Sequence, residues 1–291
     1  MTSNETNNKK KQKTLWLVVL ILALFGCLLC VGKLVADHLQ DQQVQNQYED
    51  LISTENIVSV ETTAQIPVHE STKTEETQET PEGTTEEPAV GISINFDELQ
   101  AINPHVYAWI QIPDTNIDYP MLQHPEDDAY YLTHTMYGKE HRYGSIYTER
   151  INSKDFSDPN TLIYGHNTSN RSMFQNIRYF TDQKYFDEHP YIYIYTPERK
   201  LTYQIVSCYV YDDRHIMYSF DFSDPQVYQE YLDYIVSPRD MAAKVREGIV
   251  LTTDDRIITL STCVGTGETS RRLLHGVLIK DERAVYEEPI E

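Results

Sequence analysis

The chain has 291 residues, of which 45 are acidic and 24 are basic, so its formal net charge at pH 7 is −21. This charge repels phosphate backbones and argues against binding to DNA or RNA. The four cysteines are too few and too unevenly spaced for a disulfide framework or a zinc site, and we expect neither a metal nor a cofactor. Of the 22 tyrosines, 21 follow residue 92, so the last two-thirds of the chain must build the core.

An uncharged apolar run at residues 15–32 is the first predicted element. As a helix it would be roughly 27 Å long, close to the hydrocarbon thickness of a bilayer, and snorkelling of Lys33 would extend it to residue 36. Lysines precede the run and acidic residues follow it, so residues 1–14 are predicted to be a cytoplasmic tail and the rest to lie outside the cell. A cleaved signal peptide and a lipoprotein box at Cys27 are the alternatives to this single-pass anchor.

Residues 37–92 are predicted to form an extracellular stalk. Residues 37–55 are polar with sparse apolar positions and can continue as a short helix. Residues 69–88 carry seven acids against one lysine and no aromatic residue, a composition that cannot offset the entropy cost of ordering. This segment is therefore predicted to be disordered, and its threonine content leaves glycosylation open.

Residues 93–288 form the predicted catalytic domain, which is dominated by β-structure. Short apolar or alternating runs divided by turn residues indicate strands, and their spacing favours a closed or nearly closed antiparallel barrel. A helix is predicted at residues 224–235, and a shorter one at 239–246. The predicted strands are 107–112, 144–148, 161–164, 191–196, 201–211, 257–262 and 272–280.

Cys263 and His166 are the candidate nucleophile and base, because each stands at the end of a predicted strand. Cys263 precedes a flexible Val-Gly-Thr-Gly loop, and an accessible thiol outside the cell is a liability unless it has a function. A thiol beside an imidazole can give a thiolate and an imidazolium, which supplies a nucleophile and a general acid together. Cys208 lies in the middle of a strand and is interpreted as a core residue, with a Cys208–Cys263 disulfide as the structural alternative.

An arginine near the cysteine would stabilise the negative charge that develops on the carbonyl oxygen during thiolate attack. Arg271 and Arg272 are adjacent on a strand and so face opposite sides. Alternation alone does not say which side faces the groove. Both could also be exposed charges at the edge of a strand.

His166 in TLIYGHN, Cys263 in TLSTC and Arg272 in SRRLLHG occur in an order that resembles the sortases, the membrane-anchored cysteine transpeptidases of Gram-positive bacteria. The segments NIDYPMLQ and GSIYTER, and a helix-bearing insertion at 224–248, are most similar to class B. The resemblance implies a closed eight-stranded antiparallel sortase-type β-barrel with peripheral helices. It also implies Cys263 as nucleophile, His166 as acid and base, and Arg272 as oxyanion cation, since the family's arginine directly precedes the apolar final strand.

The same resemblance implies the substrates. Leu132, Tyr164 and Ser261 would contact the sorting-signal peptide of a surface protein. Cys263 would attack a threonine carbonyl in that peptide, and an amine of the peptidoglycan cross-bridge or of a pilin would then accept the acyl group. The short Cys-to-Arg loop, and His275 and Gly276 in place of residues that are usually aliphatic or small, depart from the family's pattern.

Two other classes of function remain open. A papain-like or cell-wall Cys/His hydrolase shares the residue types, but such folds usually place the cysteine before the histidine. A stalked acidic β-domain could also be an adhesin without catalysis, which would keep its function after Cys263→Ala.

Overall fold

The computed structural model describes residues 3–53, 90–92, 94–265 and 269–286. The chain forms two compact units, Met1–Asp50 and Leu51–Glu291. The predicted disordered segment at residues 69–88 lies outside the described residues.

The first unit consists of a single long helix. This helix, α1, spans Ser3–Ser53, so it includes residues 37–53, where the sequence allowed a helical continuation. Its portion from Leu15 onward is long and apolar enough to cross a membrane, and its large apolar side chains from Leu15 to Val35 are exposed. An exposed apolar surface of this size on a helix near the N-terminus suggests membrane anchoring.

The second unit is built mainly of strands. The strands are, in chain order, β1 Val90–Ile92, β2 Val106–Gln111, β3 Asp118–Leu122, β4 Ile146–Thr148, β5 Asn160–Tyr164, β6 Tyr191–Tyr195, β7 Arg199–Asp212, β8 Lys244–Val245, β9 Ile257–Cys263 and β10 Ser270–Tyr286. The helices are α2 Phe96–Ile102, α3 Gln183–Glu188, α4 Ile216–Ser219 and α5 Pro225–Val236, with 3₁₀ segments at Tyr130–Leu132 and Phe174–Thr181.

Among the described residues, eight strands close into a barrel. Their order around the ring is β10-β9-β5-β4-β3-β2-β6-β7, and pairing of β7 with β10 closes it, while β1 pairs with part of β10 and β8 with part of β7. The predicted eight-stranded barrel is therefore confirmed. The β3–β4 and β5–β9 ladders are parallel, so the expectation of antiparallel pairing throughout is wrong at these two places.

All seven predicted strands are present, and the largest difference is at β10, which runs on to Tyr286. Strand β3 was not predicted, because its run is interrupted by Pro120, a residue that lowers the expectation of a strand. The predicted helix at 239–246 is wrong. Asp240 accepts a hydrogen bond from the Val210 amide, and the Arg246 amide donates to the Val206 carbonyl, so the segment pairs with β7 instead.

The predicted helix at 224–235 is confirmed as α5. Asp224 caps it by accepting a hydrogen bond from the Gln226 amide, and proline at the first helical position has the required φ. The buried face, at spacings of three and four residues, packs on strands β5, β7, β9 and β10. That face consists of Tyr228, Tyr231, Leu232 and Ile235.

Candidate active site

Cys263 is the last residue of β9 and carries a free, half-buried thiol. Cys208 is also a free thiol but lies in the core, where burial raises its pKa to about 12. A thiol with so high a pKa is protonated at neutral pH and is a poor nucleophile. The interpretation of Cys208 as a core residue is confirmed, and the two thiols do not form the alternative disulfide.

His166 lies just beyond the end of β5, and both its backbone and its ring are fixed. The Phe174 amide donates to the His166 carbonyl at 3.0 Å, and the ring Nε2 lies 2.7 Å from the Leu132 carbonyl oxygen. A carbonyl only accepts, so Nε2 must carry a hydrogen and donate it. The other ring nitrogen, Nδ1, is therefore the one that can take up or release a proton.

Gly165, the residue before His166, lies where the backbone packs closely against neighbouring side chains. A Cβ atom at this position would lie 2.6 Å from Ile146 Cδ1 and 2.6 Å from the ring of Phe174. Real side chains do not pack this closely, so only glycine lets the backbone pass between these two groups. The glycine of the YGH motif thus serves close packing beside the histidine.

The parallel pairing of β5 with β9 brings His166 and Cys263 to the same edge of the barrel. Tyr164 is opposite Ser261, and the Gly165 amide donates to the Ser261 carbonyl at 3.2 Å. His166 and Cys263 each follow this registered pair by two residues. The pairing therefore unites a histidine and a cysteine that are about a hundred residues apart in the chain.

The β9–β10 register separates the two arginines. Arg271 is directly opposite Cys263, whereas Arg272 is opposite Thr262. Directly opposed residues of an antiparallel pair extend from the same face, so Arg271 shares the face of Cys263 and Arg272 the other face. This register departs from the sequence-based choice of Arg272 and favours Arg271.

Electrostatic effects agree with this separation. Burial raises the pKa of the Tyr147 and Tyr164 hydroxyls, and the nearby Arg271 guanidinium opposes the rise at both. Arg272 instead acts on buried Cys208, where it opposes the increase in thiol pKa caused by burial. The Nε atom of Arg272 is buried without a hydrogen-bond partner among the residues that the structure describes. Arg272 thus faces the interior, and Arg271 faces the side of the two tyrosines.

The three residues expected to contact a peptide surround the same region. Tyr164 stacks on Tyr147 with ring centroids 5.3 Å apart, and Ser261 is buried beside it in the β5–β9 pair. Leu132 is 43% exposed, and its carbonyl oxygen holds the His166 ring. Their role as peptide contacts stays a prediction.

Sequence reasoning missed three residues of this region: Tyr147, Glu149 and His215. His215 Nε2 lies 2.6 Å from Glu149 Oε2 and 3.1 Å from the Tyr164 hydroxyl oxygen. The GSIYTER segment was recognised as a strand, but nothing in its spacing pairs Glu149 with a histidine 66 residues later. In the described part of the chain, no group of three or more His, Cys, Asp or Glu side chains could hold a metal ion.

Residues 110–278 match the family model of the sortase domain. Sortase B of Listeria monocytogenes is 34% identical over 185 residues, which cover 62% of this chain and 73% of that protein. The crystal structure of Clostridium perfringens sortase B is 30% identical, with a TM-score of 0.58 over 64% of this chain and 100% of that one. A sortase B–substrate complex from Staphylococcus aureus is 29% identical, with a TM-score of 0.57 over 64% of this chain and 84% of that one.

The fold, a strand-end cysteine and histidine on one barrel edge, and these similarities define a cysteine transpeptidase. The chain belongs to the sortase family, and it is a class B enzyme.

Proposed function

We propose that this transpeptidase cleaves the C-terminal sorting signal of surface proteins after a threonine and transfers the acyl group to an amine of the cell wall or of a pilin. The observation that carries the proposal is the strand register, in which His166 and Cys263 each lie two residues beyond the Tyr164–Ser261 pair of the parallel ladder and Cys263 is opposite Arg271 in the antiparallel one. The solved sortase B–substrate complex from Staphylococcus aureus supports a substrate-binding role for the corresponding region of this chain.

In the first half-reaction, the Cys263 thiolate attacks the threonine carbonyl carbon, and the carbon–oxygen electron pair moves to the oxygen. Arg271 stabilises that oxyanion with its N–H donors. When the tetrahedral intermediate collapses, the carbon–nitrogen bond breaks and the protonated His166 ring gives its proton to the departing amine. A thioester between Cys263 and the threonine acyl group remains.

In the second half-reaction, an amine attacks the thioester carbonyl and His166 removes a proton from the attacking nitrogen. The carbon–sulfur bond then breaks, the Cys263 thiolate is regenerated, and a new amide is formed. The imidazolium at His166 is restored at the same time, so the cycle is balanced in protons. Water in place of the amine would give the hydrolase alternative.

We further propose that α1 anchors the enzyme in the cell membrane with residues 1–14 in the cytoplasm and residues 93–288 outside. The four lysines at positions 9–13 and the acidic residues after position 36 support this orientation through the positive-inside rule. It would place the active site in the compartment of both substrates.

The test uses the full chain in detergent micelles and a library of pentapeptides that contain proline and threonine. We expect mass spectrometry to detect an acyl adduct on Cys263 with a subset of the peptides, and added amines to release it as an amide. Cys263→Ala should abolish the adduct. No adduct with any peptide, or an adduct that survives Cys263→Ala, would refute the proposal, and release by water alone would favour the hydrolase.

A further inference from the structure

His215, Glu149 and Tyr164 come from three separate elements and meet beside the active site. Glu149 directly follows β4, Tyr164 ends β5, and His215 is the residue that precedes α4. The two contacts of His215 Nε2, 2.6 Å to Glu149 and 3.1 Å to Tyr164, join these elements at one nitrogen atom.

The hydrogen-bond donor in this group can be assigned from the distances. Nε2 carries at most one hydrogen, and its shorter contact is to a carboxylate oxygen, so His215 donates to Glu149, and the Tyr164 hydroxyl oxygen shares that hydrogen as a second acceptor. At 2.6 Å this N–H···O contact is shorter than the usual range of about 2.7–2.9 Å for hydrogen bonds to an ionised carboxylate. The Glu149 side chain is 16% exposed, so losing this donor would leave a poorly hydrated carboxyl group without its hydrogen-bond donor.

The group links two parts of the proposed peptide groove. On one side, Tyr164 is registered with Ser261, two residues before Cys263. On the other side, α4 carries Tyr218, which is 68% exposed and whose ring centroid lies 4.3 Å from that of His215. His215 therefore contacts both an exposed aromatic side chain and a half-buried one.

Neighbouring charges leave this pairing intact. Asp128, a further carboxylate that acts on Glu149, is held by Arg150 through Nε at 3.0 Å and Nη2 at 3.2 Å. With Asp128 paired to Arg150 in this way, His215 remains the hydrogen-bond partner of Glu149.

We propose that His215 and Glu149 form a positioning pair that holds Tyr164 and α4 in the arrangement required to bind the sorting peptide. The pair acts on peptide binding and leaves the chemistry at Cys263 and His166 unchanged. This inference rests on the proposed function, because it needs a peptide in the groove.

A double-mutant cycle with Glu149→Gln, His215→Gln and the double variant tests the pair in the full chain in micelles. The probe is whichever library peptide the wild-type enzyme acylates fastest. We expect KM to rise about tenfold in each single variant, kcat to stay within about twofold, and the double variant to be no worse than either single one. The inference would be overturned if the effects of the two single variants were additive, if the variants had wild-type kinetics, or if kcat fell while KM stayed unchanged.

His189→Gln is the matched control, because it removes an imidazole from another carboxylate pair, His189 Nε2 to Asp114 Oδ2 at 3.4 Å. It should leave KM unchanged, and an equal rise in KM there would overturn the inference. The reaction rate of Cys263 with a methanethiosulfonate reagent reports the thiol without any peptide and should be the same in all variants. A slower reaction in the pair variants would show an effect on the chemistry and contradict the proposal.

Tyr164→Phe keeps the ring and removes only the hydroxyl, so it preserves the test if the pair variants unfold. It should raise KM in the same way, and an unchanged KM would count against the proposal. Where His215→Gln folds, the effects of the two changes should not add. If the wild-type enzyme acylates no peptide, the proposed function itself fails. If the wild-type enzyme is active and the variants have the same KM, only the positioning role is refuted.

Discussion

The two arginines at the start of β10 can be distinguished by replacing each with alanine. Arg271 is opposite Cys263, so Arg271→Ala should remove the donors that face the developing oxyanion. Loss of one such donor typically costs about 10²–10³ in rate, or ~2.7–4 kcal/mol of transition-state stabilisation. Arg271→Lys retains a charge without the paired N–H groups and should recover only part of the activity.

Arg272→Ala is the comparison, because this side chain lies on the other face, opposite Thr262. We expect it to lower the unfolding temperature while kcat/KM for the best library peptide stays within about threefold of wild type. The assay is the single-turnover rate of acyl-enzyme formation, followed by mass spectrometry. A large loss in Arg272→Ala together with an active Arg271→Ala enzyme would refute the register argument.

Two further changes test the barrel around the site. Burial lowers the pKa of His275 to about 3, so below pH ~6.5 the unfolded chain binds more protons than the folded one. The contribution of His275 to the free energy of unfolding is therefore fully present above that pH and falls by about 2 kcal/mol between pH 7 and 5. Urea unfolding at several pH values should show this dependence of the unfolding free energy on pH. His275→Leu should reduce the slope by the amount that corresponds to about one proton, and an unchanged slope would contradict the assignment. Gly165→Ala should displace His166, since the added Cβ would clash with Ile146 and Phe174. We expect kcat to fall at least about tenfold while the Cys263 thiol can still be alkylated. A wild-type kcat would show that the close packing is unimportant.

Most of the barrel could be predicted from the sequence because its strands are short apolar runs between turn residues. The nucleophile and its histidine could also be found, since each has a strand-end position and a short motif. The side of β10 that faces the groove could not be predicted from the sequence. Alternation places Arg271 and Arg272 on opposite faces, but only the pairing with β9 identifies the face of Cys263.

Contacts between distant segments account for the other differences. Residues 239–246 have charges compatible with a helix, yet Asp240 and Arg246 are used to bond the backbone of β7. Glu149 and His215 have no common motif, and their contact exists only because the end of β4 and the start of α4 meet beside Tyr164. Such pairings depend on tertiary structure that local spacing does not encode.

The parallel β5–β9 ladder also has a kinetic consequence. Parallel neighbours need a long crossover, and here that crossover includes β6, β7 and α5. Contacts between segments so far apart in sequence form late and slowly during folding. A nascent or partly folded chain therefore contains the cysteine and the histidine but no assembled dyad, and acyl transfer should begin only once the whole barrel has closed.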